Sequence, residues 1–208
     1  MYENFKYLDA VAQKEITKGV FSGSVLSVIH KGETVYLKSF GLADKEKNIP
    51  MKTDSIFRLF SMSKPVTAAA AMILIERGLL DTRHLLKWFI TEFSDPVVLD
   101  ENGERPADRD ITIGDLLTMT SGIPYPDGTP AGQKMGALWG EQSEKYLKGE
   151  KLLDTVSFAK EMGKRPLMFT PGEKWMYGAS ADIMGAVIEV VTSFFDKVRT
   201  CLVAGWTG

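Results

Sequence analysis

Apolar positions along the chain fall into a few distinct patterns, and each pattern predicts an element. Phe5, Leu8, Val11 and Ile16 recur with polar residues between them, the spacing of an amphipathic helix that opens near Asn4. Two β-rich runs follow, Ser24–His30 and Thr34–Phe40, separated by Lys31-Gly32-Glu33. A short glycine-containing turn between such runs predicts an antiparallel hairpin. Gly41 to Pro50 reads as a polar connection. Ser61 to Leu80 then reads as a helix, with Ala68–Ala71 and Met72–Ile75 in its interior and Gly78 where a helix stops. It is apolar nearly all round, which predicts burial.

Beyond it, residues 94–110 are loop-like, with Pro96, Gly103 and Pro106. Ile111–Met119 reads as helical, ended by the Ser121-Gly122 break and a Pro/Gly-rich loop through Gly132. Leu152–Met162 is a further predicted helix, Thr170-Pro171-Gly172 has turn chemistry, and Ala181–Val191 is a last apolar helix. There is no internal repeat and no low-complexity tract. Two early strands followed mostly by helices predict an α+β fold with an incomplete sheet, because two strands alone make a poor one.

Composition narrows the chemistry. The 208 residues include 44% hydrophobic and 25% charged positions, the profile of a globular chain with a real core. With 25 basic and 27 acidic residues, the net charge of -2 gives no electrostatic footprint for nucleic acid or an anionic membrane. The single cysteine, Cys201, can form neither an internal disulfide nor a thiolate zinc site. His30 and His84 lie far apart with no ligand spacing around either, which argues against a metal hydrolase. The start is polar and mixed in charge, unlike a signal peptide. The most apolar stretch, Val66–Ile75, is about ten residues long, too short to span a bilayer. The expected compartment is cytoplasmic.

The sharpest local signal is Ser61-Met62-Ser63-Lys64 at the mouth of the apolar helix. A serine hydroxyl is a poor nucleophile until a base takes its proton. A lysine three residues on shares its helix face. To act as that base the lysine must be neutral, a shift from about 10.4 toward 7 that corresponds to roughly 4 kcal/mol. Burial and the positive end of the helix dipole both push that way. Pro65 is tolerated because the first turn has no amide partner to lose. Alone, a Ser-x-x-Lys tetrad also occurs as a helix cap beside a solvated charge.

Four ordered blocks add to it. Phe57-Arg-Leu-Phe-Ser-Met-Ser-Lys-Pro-Val-Thr-Ala68, Gly78-Leu-Leu-Asp81, Ile111-Thr-Ile-Gly-Asp-Leu-Leu-Thr-Met-Thr-Ser-Gly-Ile-Pro124 and Pro166-Leu-Met-Phe-Thr-Pro-Gly-Glu-Lys-Trp-Met-Tyr177 resemble the β-lactamase-related serine hydrolases. That family comprises class C β-lactamases, low-molecular-weight penicillin-binding proteins and carboxylesterases of the same fold. The resemblance runs from about residue 8 to 193. It implies one β-lactamase/transpeptidase-like domain over 1–208, in which 1–60 form the N-terminal helix and hairpin, 61–193 the nucleophile helix and helical region, and 194–208 a divergent tail. It also implies acyl transfer to water through a Ser61 ester, with Lys64 as activating base and Tyr177 as second base or proton shuttle. The substrate would be a small ester, amide or β-lactam, and no cofactor is implied.

Departures from the family pattern sharpen this. Met119 stands where histidine is usual. The usual Tyr-x-Asn is Tyr177-Gly178-Ala179, without the side-chain amide that would hydrogen-bond a substrate carbonyl or amide, which leans toward an esterase-like member and against an efficient β-lactamase. After Asp81 the pattern lapses, and His84 is expected at the surface. Past Ser193 the family's C-terminal strands, its Lys/His/Trp-x-Gly element and an oxyanion-hole amide have no counterpart. Trp206-Thr207-Gly208 is only superficially like that element. Unpaired sheet edges would then invite self-association. The alternative from another class is a non-catalytic descendant that binds a ligand or partner without turnover.

Two rival nucleophiles are weaker. Gly178-Ala-Ser180-Ala-Asp182 approximates the Gly-x-Ser-x-Gly elbow, but its last glycine is aspartate, no strong strand precedes it and no histidine follows. Ser180 is better read as the start of the next helix. Cys201 reads as a small hydrophobe. Trp139, Trp175 and Tyr125 are candidate linings of an acyl pocket.

Overall fold

The computed structural model describes residues 5–204, and side chains through residue 193. The Cys201 side chain and Trp206-Thr207-Gly208 lie outside what is described. The chain separates into two compact units that divide between Leu59 and Phe60. Among the described residues, no helix is long and apolar enough to cross a membrane.

The first unit contains α1 (Lys6–Thr17), β1 (Gly23–His30), β2 (Glu33–Asp44) and β3 (Ile49–Pro50), with an antiparallel sheet of order β1-β2-β3. The predicted hairpin is present. Its loop residues Lys31 and Gly32 both have positive φ, 50° and 83°, as a tight turn matched to strand twist requires. The stretch from Gly41 to Pro50 is more than a connection. There β2 runs on to Asp44, and the chain returns as β3 with Leu42 opposite Pro50. A turn in which Asp44 Oδ1 accepts from Lys47 N (2.9 Å) reverses the chain. Asp9 of α1 anchors the helix to β2, accepting from the Tyr36 hydroxyl and pairing with Lys38 at 2.6 Å.

The second unit contains α2 (Ser63–Glu76), β4 (Val97–Asp100), β5 (Gly103–Pro106), α3 (Ile113–Leu117), α4 (Pro130–Leu147), α5 (Thr155–Gly163) and α6 (Ser180–Ala204). The expected loop at 94–110 is a β4–β5 hairpin. Its strands pair Val97 with Pro106 and Asp100 with Gly103, so the proline sits at a strand end and the glycine at the turn, where each is tolerated. Val97 and Leu99 also bond Leu167 from the other side, at 2.7 and 2.9 Å.

Helix α4 was not apparent in the apolar pattern. It begins on a Thr129 cap that accepts from Gly132 N, with Pro130 in the first turn, the arrangement favoured at helix starts. Helix α6 is central and packs against α2, α3 and α5. Its Ile183, Met184 and Val187 are fully buried with Ile113, Leu116 and Met162.

Helix α2 departs from expectation, because only Ala71 and Leu74 are buried. Its opposite face, carrying Val66, Met72 and Ile73, is exposed. The second unit covers only the side of α2 that meets α6, so an all-round apolar sequence does not produce all-round burial.

One polar cluster fixes the segment leading to the site. Asp115, only 6% exposed, receives a bidentate pair from Arg109 (2.7 and 2.8 Å) and bonds from Thr112 and Thr120. It also closes a capping box on α3. The turn at Gly172 (φ 83°) presses on this pair, and a Cβ there would lie 2.2 Å from an Arg109 nitrogen. Burial pushes the Asp115 carboxyl up, but Arg109 and Thr112 outweigh it and hold it below the usual range.

Stability from this group is therefore complete above the ordinary carboxylate range and is lost as pH falls through the lowered value. Asp115→Ala is expected to cost about 2–4 kcal/mol in urea unfolding. The variant should also show a shallower loss of stability in acid. An unchanged denaturation midpoint would show that the cluster contributes nothing.

Candidate active site

The site lies wholly in the second unit and begins where α2 begins. Ser61 sits in a single 3₁₀ turn, Phe60–Met62, that feeds α2. Phe60, just before it, has φ 48°. A bulky residue held there stores strain on the order of 1–3 kcal/mol, of the kind found at reactive turns. Lys64 follows in the first turn of α2, and its Nζ is 3.4 Å from Ser61 Oγ. The three-residue spacing thus places both groups together.

The aromatic side is built by two distant segments running alongside each other. Residues 119–123 bond residues 168–179 through Met168 N to Gly122 O (2.9 Å), Gly172 N to Thr120 O (2.8 Å), Met176 N to Met119 O (2.9 Å) and Ala179 N to Ile123 O (3.1 Å). Gly178 makes this approach feasible, since a Cβ on it would stand 2.2 Å from the Ile123 carbonyl oxygen. Tyr177 and Tyr125 project from this pair of segments with rings 6.1 Å apart. The Lys64 ammonium lies 4.8 Å from the Tyr177 ring centre and 5.3 Å from that of Tyr125, within cation–π range. Lys64 Nζ also donates to Tyr125 Oη at 3.1 Å, and Tyr125 donates to Asp182 Oδ2 at 2.6 Å. Ser61, Lys64 and Tyr177 are therefore brought together.

The groups around Lys64 act on its protonation in opposite directions. Burial does push Lys64 down, but hydrogen bonds to Tyr177 and Tyr125 outweigh it and hold Lys64 above its ordinary value. The Ser61 hydroxyl, and then the Lys64 ammonium, hold the Tyr177 phenol below its ordinary value. Tyr125 moves the opposite way, pushed up first by burial and then by Asp182, with Lys64 opposing. Two phenols share one ammonium, and their environments separate them.

A cavity of about 400 Å³ opens beside Lys64. Its apolar wall is Phe60, Leu153, Phe158, Ala159 and Met162, and Ser63, Thr67, Asp154 and Asp182 are among its polar groups. Among the expected aromatic linings, Trp139 packs between Phe158 (4.7 Å) and Tyr125 (6.1 Å) without facing the cavity. Trp175 is 68% exposed.

Ala179 is fully buried in the core, so the position after Gly178 presents no polar group to the site. His84 is half-buried, accepting from Asp81 N (3.2 Å) and packing against Trp88. Ser180 opens α6 and is buried against Ser121 at 2.8 Å, which removes it as a nucleophile.

The family model described as Beta-lactamase matches residues 8–201. The chain belongs to the β-lactamase family. Its α+β architecture is the β-lactamase/transpeptidase-like fold, here with small antiparallel sheets.

Esterase EstB of Burkholderia gladioli is 34% identical over 188 residues, covering 89% of this chain and 45% of the esterase. Among solved structures, EstCE1, a hydrolase with promiscuous acyltransferase activity, matches with a TM-score of 0.73 and 27% identity, over 90% of this chain and 47% of that one. Simvastatin synthase (LovD) from Aspergillus terreus gives 0.69 and 25%, over 93% and 50%. The family chain in hand thus spans about half the length of such relatives.

The sequence does not mark Asp182 as a site residue, and it offers Tyr125 only as a pocket lining. In the chain Asp182 is the misfit of an imperfect Gly-x-Ser-x-Gly elbow. Only the packing of α6 on α2 brings it near Lys64.

Proposed function

We propose that this family member catalyses acyl transfer from a small ester to water through an acyl-Ser61 intermediate. The observation that carries the reading is the Lys64 ammonium held among Ser61 Oγ and the two phenols, with Tyr177 poised as the base. In acylation, Ser61 Oγ attacks the ester carbonyl and its proton passes to the Tyr177 phenolate. When the tetrahedral intermediate collapses, the leaving alkoxide takes that proton from Tyr177. Deacylation repeats the sequence with water as nucleophile, and Ser61 recovers its proton as it leaves. Lys64 stays charged throughout and stabilises both the phenolate and the developing negative charge. The Ser61 backbone amide contributes one oxyanion donor. An apolar acyl group suits the cavity walled by Leu153, Phe158 and Met162.

An ester is favoured over a β-lactam because Ala179 is buried and offers no amide to the substrate. A site that lacks such a donor loses discrimination in favour of substrates that need it. Steady-state rates on a p-nitrophenyl ester and a chromogenic cephalosporin test this. The ester is expected to have a kcat/KM at least about a hundredfold higher. Equal or faster turnover of the cephalosporin would reverse the assignment.

A further inference from the structure

The acyl-transfer reading leaves two groups at the site without a task, Tyr125 and Asp182. We propose that they form a positioning relay, Asp182 to Tyr125 to Lys64, which fixes the lysine ammonium between Ser61 and Tyr177. This deepens the acyl-transfer reading and rests on it.

The directions of the hydrogen bonds carry the inference. A phenol has one hydrogen, and an ionised carboxylate can only accept. At 2.6 Å, Tyr125 donates that hydrogen to Asp182 Oδ2. Tyr125 Oη therefore has only lone pairs for Lys64 Nζ at 3.1 Å, and the lysine must donate. The carboxylate behind the phenol polarises its oxygen, so a charged donor is bound more strongly than a neutral one.

Tyr177 feels Asp182 only as a weaker, through-space push upward. Ser61 and Lys64 act on it from the front and favour its phenolate. Burial and Asp182 keep Tyr125 a phenol. The two tyrosines therefore do different work: one anchors the cation and the other answers to it.

Other groups facing Lys64 do not compete. Asp154, at the start of α5, lines the same cavity, but its carboxylate is engaged by Ser157 N at 2.7 Å. On the other side a second cavity of about 200 Å³ presents only Leu116, Leu117 and Met119 from the α3 region.

Breaking the relay releases Lys64 to the downward push of burial and weakens the cation that supports Tyr177. The pH–rate bell then narrows from both sides: the acid limb moves to higher pH and the basic limb to lower. Tyr125→Phe and the near-isosteric Asp182→Asn test this with two readouts. The first is the pH dependence of kcat/KM on p-nitrophenyl acetate. The second, independent of activity, is titration of ¹³Cζ-labelled tyrosines by NMR, with the Tyr177 signal assigned from Tyr177→Phe.

Expected for Tyr125→Phe are a roughly ten- to hundredfold loss in kcat at nearly constant KM, and a Tyr177 midpoint moved to higher pH. Asp182→Asn moves the same way by less, because an acceptor remains and because losing the carboxylate charge also removes its direct upward push on Tyr177. Unmoved limbs and an unmoved Tyr177 midpoint in folded variants would overturn the relay. A wild-type protein that turns over no ester while the midpoint still moves would overturn the acyl-transfer reading and support the relay.

Discussion

Ser61→Ala is expected to lower ester hydrolysis by at least about 10⁴-fold, with the folded structure retained. Ser61 is exposed, and its hydroxyl meets Lys64 Nζ at 3.4 Å and the Tyr177 phenol, neither of them fully buried. Removing the hydroxyl therefore empties no packed core and leaves no buried partner unsatisfied. The entire effect should fall on the rate. What remains would be general-base attack by water, which forgoes the covalent intermediate that divides one difficult step into two. Initial rates with a p-nitrophenyl ester and a matched thermal melt separate the two effects. Loss of activity accompanied by loss of the fold would point instead to a structural serine.

The second large effect is Tyr177→Phe, expected to reduce kcat/KM by about 10²–10⁴-fold, the usual contribution of a positioned base. The pH dependence distinguishes the base from an aromatic wall. In the wild type Tyr177 is held below its ordinary value and Lys64 above its own, so the phenolate–ammonium pair prevails between the two. Activity should rise as pH climbs through the lowered Tyr177 value. It then levels off, and falls as Lys64 loses its proton. Tyr177→Phe removes the first limb, and the residual rate should simply increase with hydroxide. A variant that keeps the wild-type acid limb would assign that limb to another group.

Much of the scaffold is legible in the sequence because its periods are strong. The β1–β2 hairpin follows from two β-rich runs around Lys31-Gly32-Glu33, and α6 from its apolar run. The β4–β5 hairpin is not legible, because Pro96, Gly103 and Pro106 look like loop punctuation until their places at strand ends and turn are seen. Helix α4 hides for a similar reason: Gly132, Gly136 and Gly140 dilute its pattern, although Thr129 and Pro130 mark its start.

At the site, the proximity of Ser61 and Lys64 follows from local spacing. Tyr177 enters only through resemblance, since a tyrosine beside a tryptophan is usually just packing. Only part of what acts on the Lys64 amine is legible. Burial and the helix dipole push it toward neutrality, and what opposes them is a pair of phenolic oxygens delivered by remote segments. Tyr125 and Asp182, 57 positions apart, meet only through the packing of α6 on the 119–123 segment.

Whether Ser61 is an activated nucleophile is decided by intact-mass spectrometry after brief incubation with a p-nitrophenyl ester and, separately, with a β-lactam. An activated Ser61 gives a mass increase of one acyl group on the wild type, located by peptide mapping to Ser61, formed faster with the ester and absent from Ser61→Ala. A folded wild-type protein that gains no mass with either reagent, or that gains the same mass in Ser61→Ala, would contradict it.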